Sequence, residues 1–191
     1  MTDLQLASLL SRVRTPGRYA GGERGAVRKN WEEMRLRACL LFPDLYELGM
    51  SYLGTRILYH IINRRADALA ERCYAPADDL YQLLKNGGAG KISSVAAESG
   101  NGGPDAMKSG FRLWSLESRR ALCEFDALLA SFTYELAYPQ FLRMLDAGGV
   151  PILAADRGER DPIVLAGGGC AANPEPLAMF VDAWGIGDGE K

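Results

Sequence analysis

The stretch Arg35-Leu36-Arg37-Ala38-Cys39-Leu40-Leu41-Phe42-Pro43-Asp44-Leu45-Tyr46-Glu47-Leu48-Gly49-Met50-Ser51 decides the fold. Leu36 to Phe42 is apolar at nearly every position and is closed by Pro43-Asp44, the pattern of a strand buried on both faces, as in a parallel sheet. Beyond the loop, Met50, Leu53, Ile57, Leu58, Ile61 and Ile62 recur at intervals of three and four residues. That stripe predicts an amphipathic helix lying over the strand and ending near Arg64-Arg65.

The same alternation continues outward. Ala68–Tyr74 reads as a second strand, and Asp78–Leu84 as a second helix that starts after Pro76. Asp126–Phe132 reads as a buried strand and Tyr138–Ala147 as its covering helix, stopped by Gly148-Gly149. Phe111–Leu116, Val150–Leu153, Ile163–Ala166 and Phe180–Ile186 are expected as further short strands. Upstream, Leu4 to Leu10 suits a short helix before Pro16-Gly17. Residues 87–110, rich in Gly, Ser, Ala and Asn without an apolar period, read as a mobile insertion. Strands alternating with helices predict an α/β fold, a Rossmann-like or flavodoxin-like three-layer domain with a mainly parallel sheet. It should occupy residues 35–191 behind an N-terminal arm, 1–34.

With 191 residues, 48% of them hydrophobic, the chain is long enough for one domain with a full core. A net charge of −2 supplies no broad cationic field, so nucleic-acid binding is not expected. Basic residues do gather early, at Arg12, Arg14, Arg18, Arg24, Arg28, Lys29, Arg35 and Arg37. They read as a solvated arm or as a contact with RNA, a partner or a neighbouring domain. Cys39, Cys73, Cys123 and Cys170 are widely spaced with no Cys-x-x-Cys pair, which signals neither zinc nor a disulfide framework. A signal-like N-terminus and an apolar run of about 18 residues are both lacking, so a cytoplasmic protein with no membrane partner is expected.

Ligands of parallel sheets sit beyond the carboxyl ends of the strands, at a switch in strand order. Four post-strand loops here are candidates. The first carries Asp44, Tyr46 and Gly49 at a helix start; the second carries Ser131 and Thr133. The third is Gly167-Gly168-Gly169-Cys170-Ala171-Ala172-Asn173-Pro174-Glu175-Pro176, where glycines would let a flat ligand approach the backbone. The fourth holds Gly187 and Gly189 in Gly185-Ile186-Gly187-Asp188-Gly189-Glu190. Helix capping and tight turns account for the same residues without a ligand. Asp44, Glu47, Glu135, Glu175 and Asp188 can all be loop or cap residues, which weakens a paired-carboxylate hydrolase. His60, the only histidine, falls within the predicted helix, away from these loops.

In order, Arg18-Tyr19-Ala20-Gly21-Gly22-Glu23, Pro43-Asp44-Leu45-Tyr46-Glu47-Leu48-Gly49-Met50-Ser51, Ala166-Gly167-Gly168-Gly169-Cys170-Ala171-Ala172-Asn173-Pro174-Glu175-Pro176-Leu177 and Gly187-Asp188-Gly189-Glu190 form a set. Over Pro16 to Lys191, outside the insertion, the chain resembles the cobalamin-binding-like N-terminal domain of radical S-adenosylmethionine (radical SAM) proteins. The resemblance implies cobalamin as the cofactor, the candidate loop residues as its contacts, and a radical SAM barrel as the partner, in the full-length protein or in trans. In relatives that ligate cobalt, Asp-x-His-x-x-Gly supplies an imidazole; here Asp44-Leu45-Tyr46-Glu47-Leu48-Gly49 has tyrosine instead. A phenol with pKa about 10 is a poor neutral donor, so cobalt ligation by Tyr46 is not expected. Cobalamin is then held by backbone and hydroxyl contacts alone, or has been lost.

S-adenosylmethionine and its [4Fe-4S] cluster need three cysteines, usually as Cys-x-x-x-Cys-x-x-Cys, and the chain has no such motif. In the relatives it follows Gly-Asp-Gly-Glu, so the sequence reads as truncated before the barrel and not catalytic alone. Two other readings stand: a nucleotide- or flavin-binding domain, weakened because no Gly-x-Gly-x-x-Gly follows the first strand, and a vestigial protein-interaction module, which an apolar patch near Trp184 would support.

Overall fold

The computed structural model describes residues 1–86 and 110–187; most of the expected insertion, residues 87–109, lies outside them, as do residues 188–191. Five strands, β1 (Leu36–Phe42), β2 (Ala68–Tyr74), β3 (Ala127–Ser131), β4 (Ile163–Gly167) and β5 (Ala183–Trp184), form one sheet. Every ladder is parallel and the order is β2-β1-β3-β4-β5. The helices are α1 (Asp3–Leu10), α2 (Tyr46–Gly49), α3 (Leu53–Arg64), α4 (Asp78–Lys85) and α5 (Tyr138–Gly148). Thr2 and Gln5 close a capping box on α1; Pro139 opens α5 and Gly149, at φ 75°, ends it. Among the described residues no helix is long and apolar enough to cross a membrane.

Register sorts the side chains into two layers. Cys39, Leu41, Cys73, Leu128, Ala130, Val164 and Ala166 point to one face, where they pack with Leu80 and Leu84 of α4 and Phe141, Met144 and Leu145 of α5. Leu6, Leu9 and Leu10 of α1 and Tyr19 join that core, so the first residues of the chain share it. On the other face α3 lies over β1 and β2. Asn63 donates to the Ala70 carbonyl at 2.9 Å and accepts from its amide at 3.0 Å, and Arg72 stacks 4.8 Å from the Tyr59 ring. On this face β3, β4 and β5 have no helix over them among the described residues. Leu129 and Leu165 stay half-buried, and Ile163 and Ala183 are exposed.

Three expected strands are not formed as read. Phe111–Leu116 makes only an isolated antiparallel bridge, Trp114 to Ala121. The segment instead closes the open edge of β2, as the Leu116 amide donates to the Arg72 carbonyl at 2.8 Å. Val150–Leu153 leads into one 3-10 turn, Ala154–Asp156, and its apolar Val150 is buried as the chain leaves α5. Phe180–Ile186 contributes only Ala183–Trp184. Phe180 closes a turn onto Leu177, and Asp182 accepts from the Val164 amide at 2.7 Å. Each run buries part of its apolar surface, Leu113 to Leu116, Val150 and Val181, without a strand partner along its length, and an apolar run alone does not select a strand.

The β2 edge is held by a buried ionic cluster. Glu117 accepts from the Arg72 amide at 2.8 Å and from its Nε at 2.7 Å, while Glu23 of the arm takes the other guanidinium nitrogen at 2.7 Å. Burial pushes the Glu117 carboxyl up, with Arg72 pulling it back; burial opposes the Arg72 charge, but Glu117 outweighs it and the guanidinium stays protonated. Removing one member strands a buried charge. Glu117→Ala is therefore expected to lower the unfolding free energy by about 3–5 kcal/mol in urea titration, and Glu117→Gln by less. A loss below about 1 kcal/mol for the alanine variant would show that the cluster does not hold the edge.

Candidate functional site

The chain runs from β1 outward to β2 and then crosses back to β3, so the strand order switches between β1 and β3. Parallel sheets open a crevice at such a point. Here side chains bridge it: Tyr134 Oη, in the loop after β3, donates to Asp44, in the loop after β1. This carboxylate pushes the Tyr134 phenol up to about 12. Asp44 also accepts from the Leu45 amide at 2.7 Å. Its role in this structure is to tie two loops together.

Tyr46 turns toward β2. Its ring meets Tyr74 edge-on, 5.4 Å between centroids, and its phenol lies beside the Glu23 carboxylate. Burial and that carboxylate push the phenol up to about 12, so it remains protonated at neutral pH. A phenol held protonated beside a carboxylate does not fit as an axial ligand to cobalt. Gly49 is likewise a packing position: a Cβ there would run into the Tyr74 ring and sit 2.8 Å from Phe42. Thr133 is exposed beyond β3.

The other candidates converge elsewhere. Ser131, Gly167, Gly168, Gly169 and Gly187 line one crevice of about 840 Å³ over the open face of β3, β4 and β5. Leu129, Leu165 and Ala183 form its floor, Tyr52, Gly54 and Leu58 its wall on the α3 side, and Trp184 to Gly187 its far edge. Gly189 lies outside the described residues. At Gly168, φ is 95° and a Cβ would fall 2.5 Å from the Phe132 carbonyl oxygen. The loops after β3 and β4 touch at this point, and Cys170 donates to that same oxygen at 3.3 Å. A Cβ at Gly169 or Gly187 would meet nothing within 4 Å, so these two leave open space. Gly168 is thus fixed by the fold, whereas Gly169 faces the crevice without constraint.

Around the carboxyl end of the sheet, Leu48, Met50, Leu53, Tyr134, Leu136 and Ile186 are all exposed, Leu136 at 85% and Ile186 at 77%. They come from the segments after β1, β3 and β5 and form an apolar rim. The sequence reading missed the rim and the leucine floor. Leu128, Leu129 and Ala130 look alike in sequence, and nothing local says which one faces an uncovered side. Among the described residues, no group of three or more His, Cys, Asp or Glu could hold a metal ion.

An all-parallel sheet of order 2-1-3-4-5 flanked by helices, with its crevice at the strand ends, defines a flavodoxin-like α/β domain. Residues 101–191, from before β3 through β5, match the family described as radical SAM proteins, N-terminal. No curated protein matches the chain.

Adjacent glycines should respond differently to a methyl group. Gly168→Ala is expected to cost about 1–3 kcal/mol of stability, from positive φ and the clash with Phe132, and Gly169→Ala less than about 0.5 kcal/mol. Thermal denaturation of the two variants checks this, and equal losses would contradict the assignment.

Proposed function

We propose that this chain is an accessory domain that carries no reacting group of its own and works by pressing the carboxyl edge of its sheet against a radical SAM catalytic barrel. The observation that carries this reading is the apolar rim ringing a glycine-edged crevice, in a chain whose later half matches radical SAM N-terminal domains. Large aliphatic side chains gathered at one end of a domain are stabilised by covering them with protein. The barrel brings the three-cysteine cluster motif that this sequence lacks. Such a pair works in the cytoplasm, where cluster cysteines stay reduced.

The test is co-expression with a radical SAM domain carrying Cys-x-x-x-Cys-x-x-Cys, followed by gel filtration. The wild-type chain should co-elute with the barrel, and Leu136→Asp with Ile186→Asp should weaken the association at least tenfold. Undiminished co-elution of the double variant would overturn the rim as the contact.

The crevice volume supports a second reading, in which the same edge also receives a flat organic cofactor such as a corrin. Tyr46 then takes no part as a ligand, because its phenol stays protonated beside the Glu23 carboxylate. After titration with hydroxocobalamin and desalting, wild type and Tyr46→Phe should retain the same amount with the same visible spectrum. A spectral change in the variant would contradict this. Loss of all corrin from both would leave the crevice as a protein contact only.

A further inference from the structure

The net charge of −2 is unevenly spread along the chain. Residues 24–31 and 48–66 hold six of the 22 lysines and arginines, Arg24, Arg28, Lys29, Arg56, Arg64 and Arg65, and none of the 24 acids. The fold brings these two stretches side by side. The Val27 amide donates to the Tyr59 hydroxyl at 2.7 Å, and Lys29 Nζ donates to the carbonyls of Asn63, Arg65 and Ala68 at 2.9, 2.6 and 2.6 Å. Lys29 thus sits at the carboxyl end of α3, where helix carbonyls lack partners within the helix, and fastens the arm along it.

The arginines that remain are free to meet something else. Arg24 and Arg28 of the arm and Arg56 and Arg64 of α3 are exposed, and their side chains have no ion pair or hydrogen bond among the described residues. The acids that border the two stretches already hold other arginines: Glu23 holds Arg72, Glu47 holds Arg18 and Asp67 holds Arg65. On α3, Tyr59 and Asn63 turn to β2, with Arg72 over the Tyr59 ring and Asn63 bonded to Ala70. Arg56, His60 and Arg64 therefore stand on the β2 and solvent sides of the helix, next to the arm. Arg56 and Arg64 are two turns apart, about 12 Å along the axis. Ile57 and Ile61 fall on the other side, toward Leu58 and the crevice.

We infer that the arm and the outer side of α3 bind the phosphodiester backbone of a nucleic acid without reading its bases. Guanidinium groups match phosphate oxygens in bidentate geometry. A protein surface mixes acids with cations of its own, whereas a nucleic acid brings an unbroken row of negative charge that four arginines meet at once. Attachment to a bilayer interface gains from aliphatic groups set beside the cations, and the isoleucines of α3 lie on its other side. Tyr59, with Arg72 over its ring and its hydroxyl taken by Val27, offers no platform for stacking a base. The contact uses phosphates only, so sequence and sugar go unread. None of these arginines belongs to the apolar rim or the crevice, so the surface does not depend on docking to a barrel.

Fluorescence anisotropy of the full chain with labelled duplexes of about 20 base pairs, RNA and DNA, each in two unrelated sequences, tests this. All four should bind with similar affinity, and that affinity should fall about a hundredfold between 50 and 200 mM salt, as contact with about four phosphates requires. Arg56→Gln with Arg64→Gln should weaken binding at least tenfold at low salt and flatten the salt dependence by about two phosphates. Adding Arg24→Gln and Arg28→Gln should remove most of what is left, with native circular dichroism throughout. Arg160→Gln, at an exposed arginine before β4, should change nothing. The inference is overturned by no binding at 50 mM salt, by a more than tenfold preference for one sequence or one sugar, by an equal loss in Arg160→Gln, or by binding that survives all four substitutions. It is overturned equally if polyglutamate or phosphatidylglycerol vesicles bind through these arginines and the duplexes do not.

Discussion

A parallel sheet has to be covered on both faces, because its strands are joined by crossovers and their side chains are apolar in both directions. Every other feature of this domain follows from how far that condition is met. One face is closed by α1, α4 and α5 over Cys39, Leu41, Leu128 and Val164. Among the described residues, the opposite face is closed only where α3 spans β1 and β2. The part above β3, β4 and β5 is therefore the crevice, and the loops that end those strands supply its edge.

The two ends of the domain are stabilised by different chemistry. At the β2 edge, Arg72, Glu117 and Glu23 join the strand, the segment after residue 110 and the N-terminal arm through buried charge-assisted hydrogen bonds. Glu71, on the opposite face of that strand, accepts from Ser115 and Ser118, at 2.5 and 2.7 Å. Polar groups thus seal one edge against pairing with another chain. At the β5 end the surface is aliphatic and glycine-rich, with Trp184 tilted over Phe132 at 6.4 Å. A sealed edge and an open face give the domain one direction for association.

Much of this was legible in the sequence, for identifiable reasons. β1, β2, α3, α4 and α5 have strong periods bounded by proline or glycine, and their observed limits lie within one or two residues of the expected ones, apart from the start of α3 at Leu53 rather than Met50. The parallel sense of the sheet followed from strand-helix alternation, whereas its order, β2-β1-β3-β4-β5, did not. The glycine loop after β4 and Ser131 after β3 lie together at the strand ends, as loops past strand ends can be placed once the strands are. What was not legible is direction. Tyr46 sits at the helix start expected for a ligand residue, yet its ring packs on Tyr74 of β2 and its phenol lies beside Glu23, more than twenty residues upstream. Asp44 meets Tyr134 across the fold for the same reason. Leu129 was expected inside a buried strand and Leu165 inside a short one, and neither composition says which side chain meets the uncovered part of the sheet.

The central claim is that the two faces of β4 differ, and maleimide labelling of single cysteines tests it most directly. Val164 points into the closed core and Leu165 onto the crevice floor. Against the slow background of the native cysteines, Leu165→Cys in the folded chain is predicted to react at least a hundredfold faster than Val164→Cys, with both variants showing native circular dichroism. Equal protection at the two positions would contradict the open face.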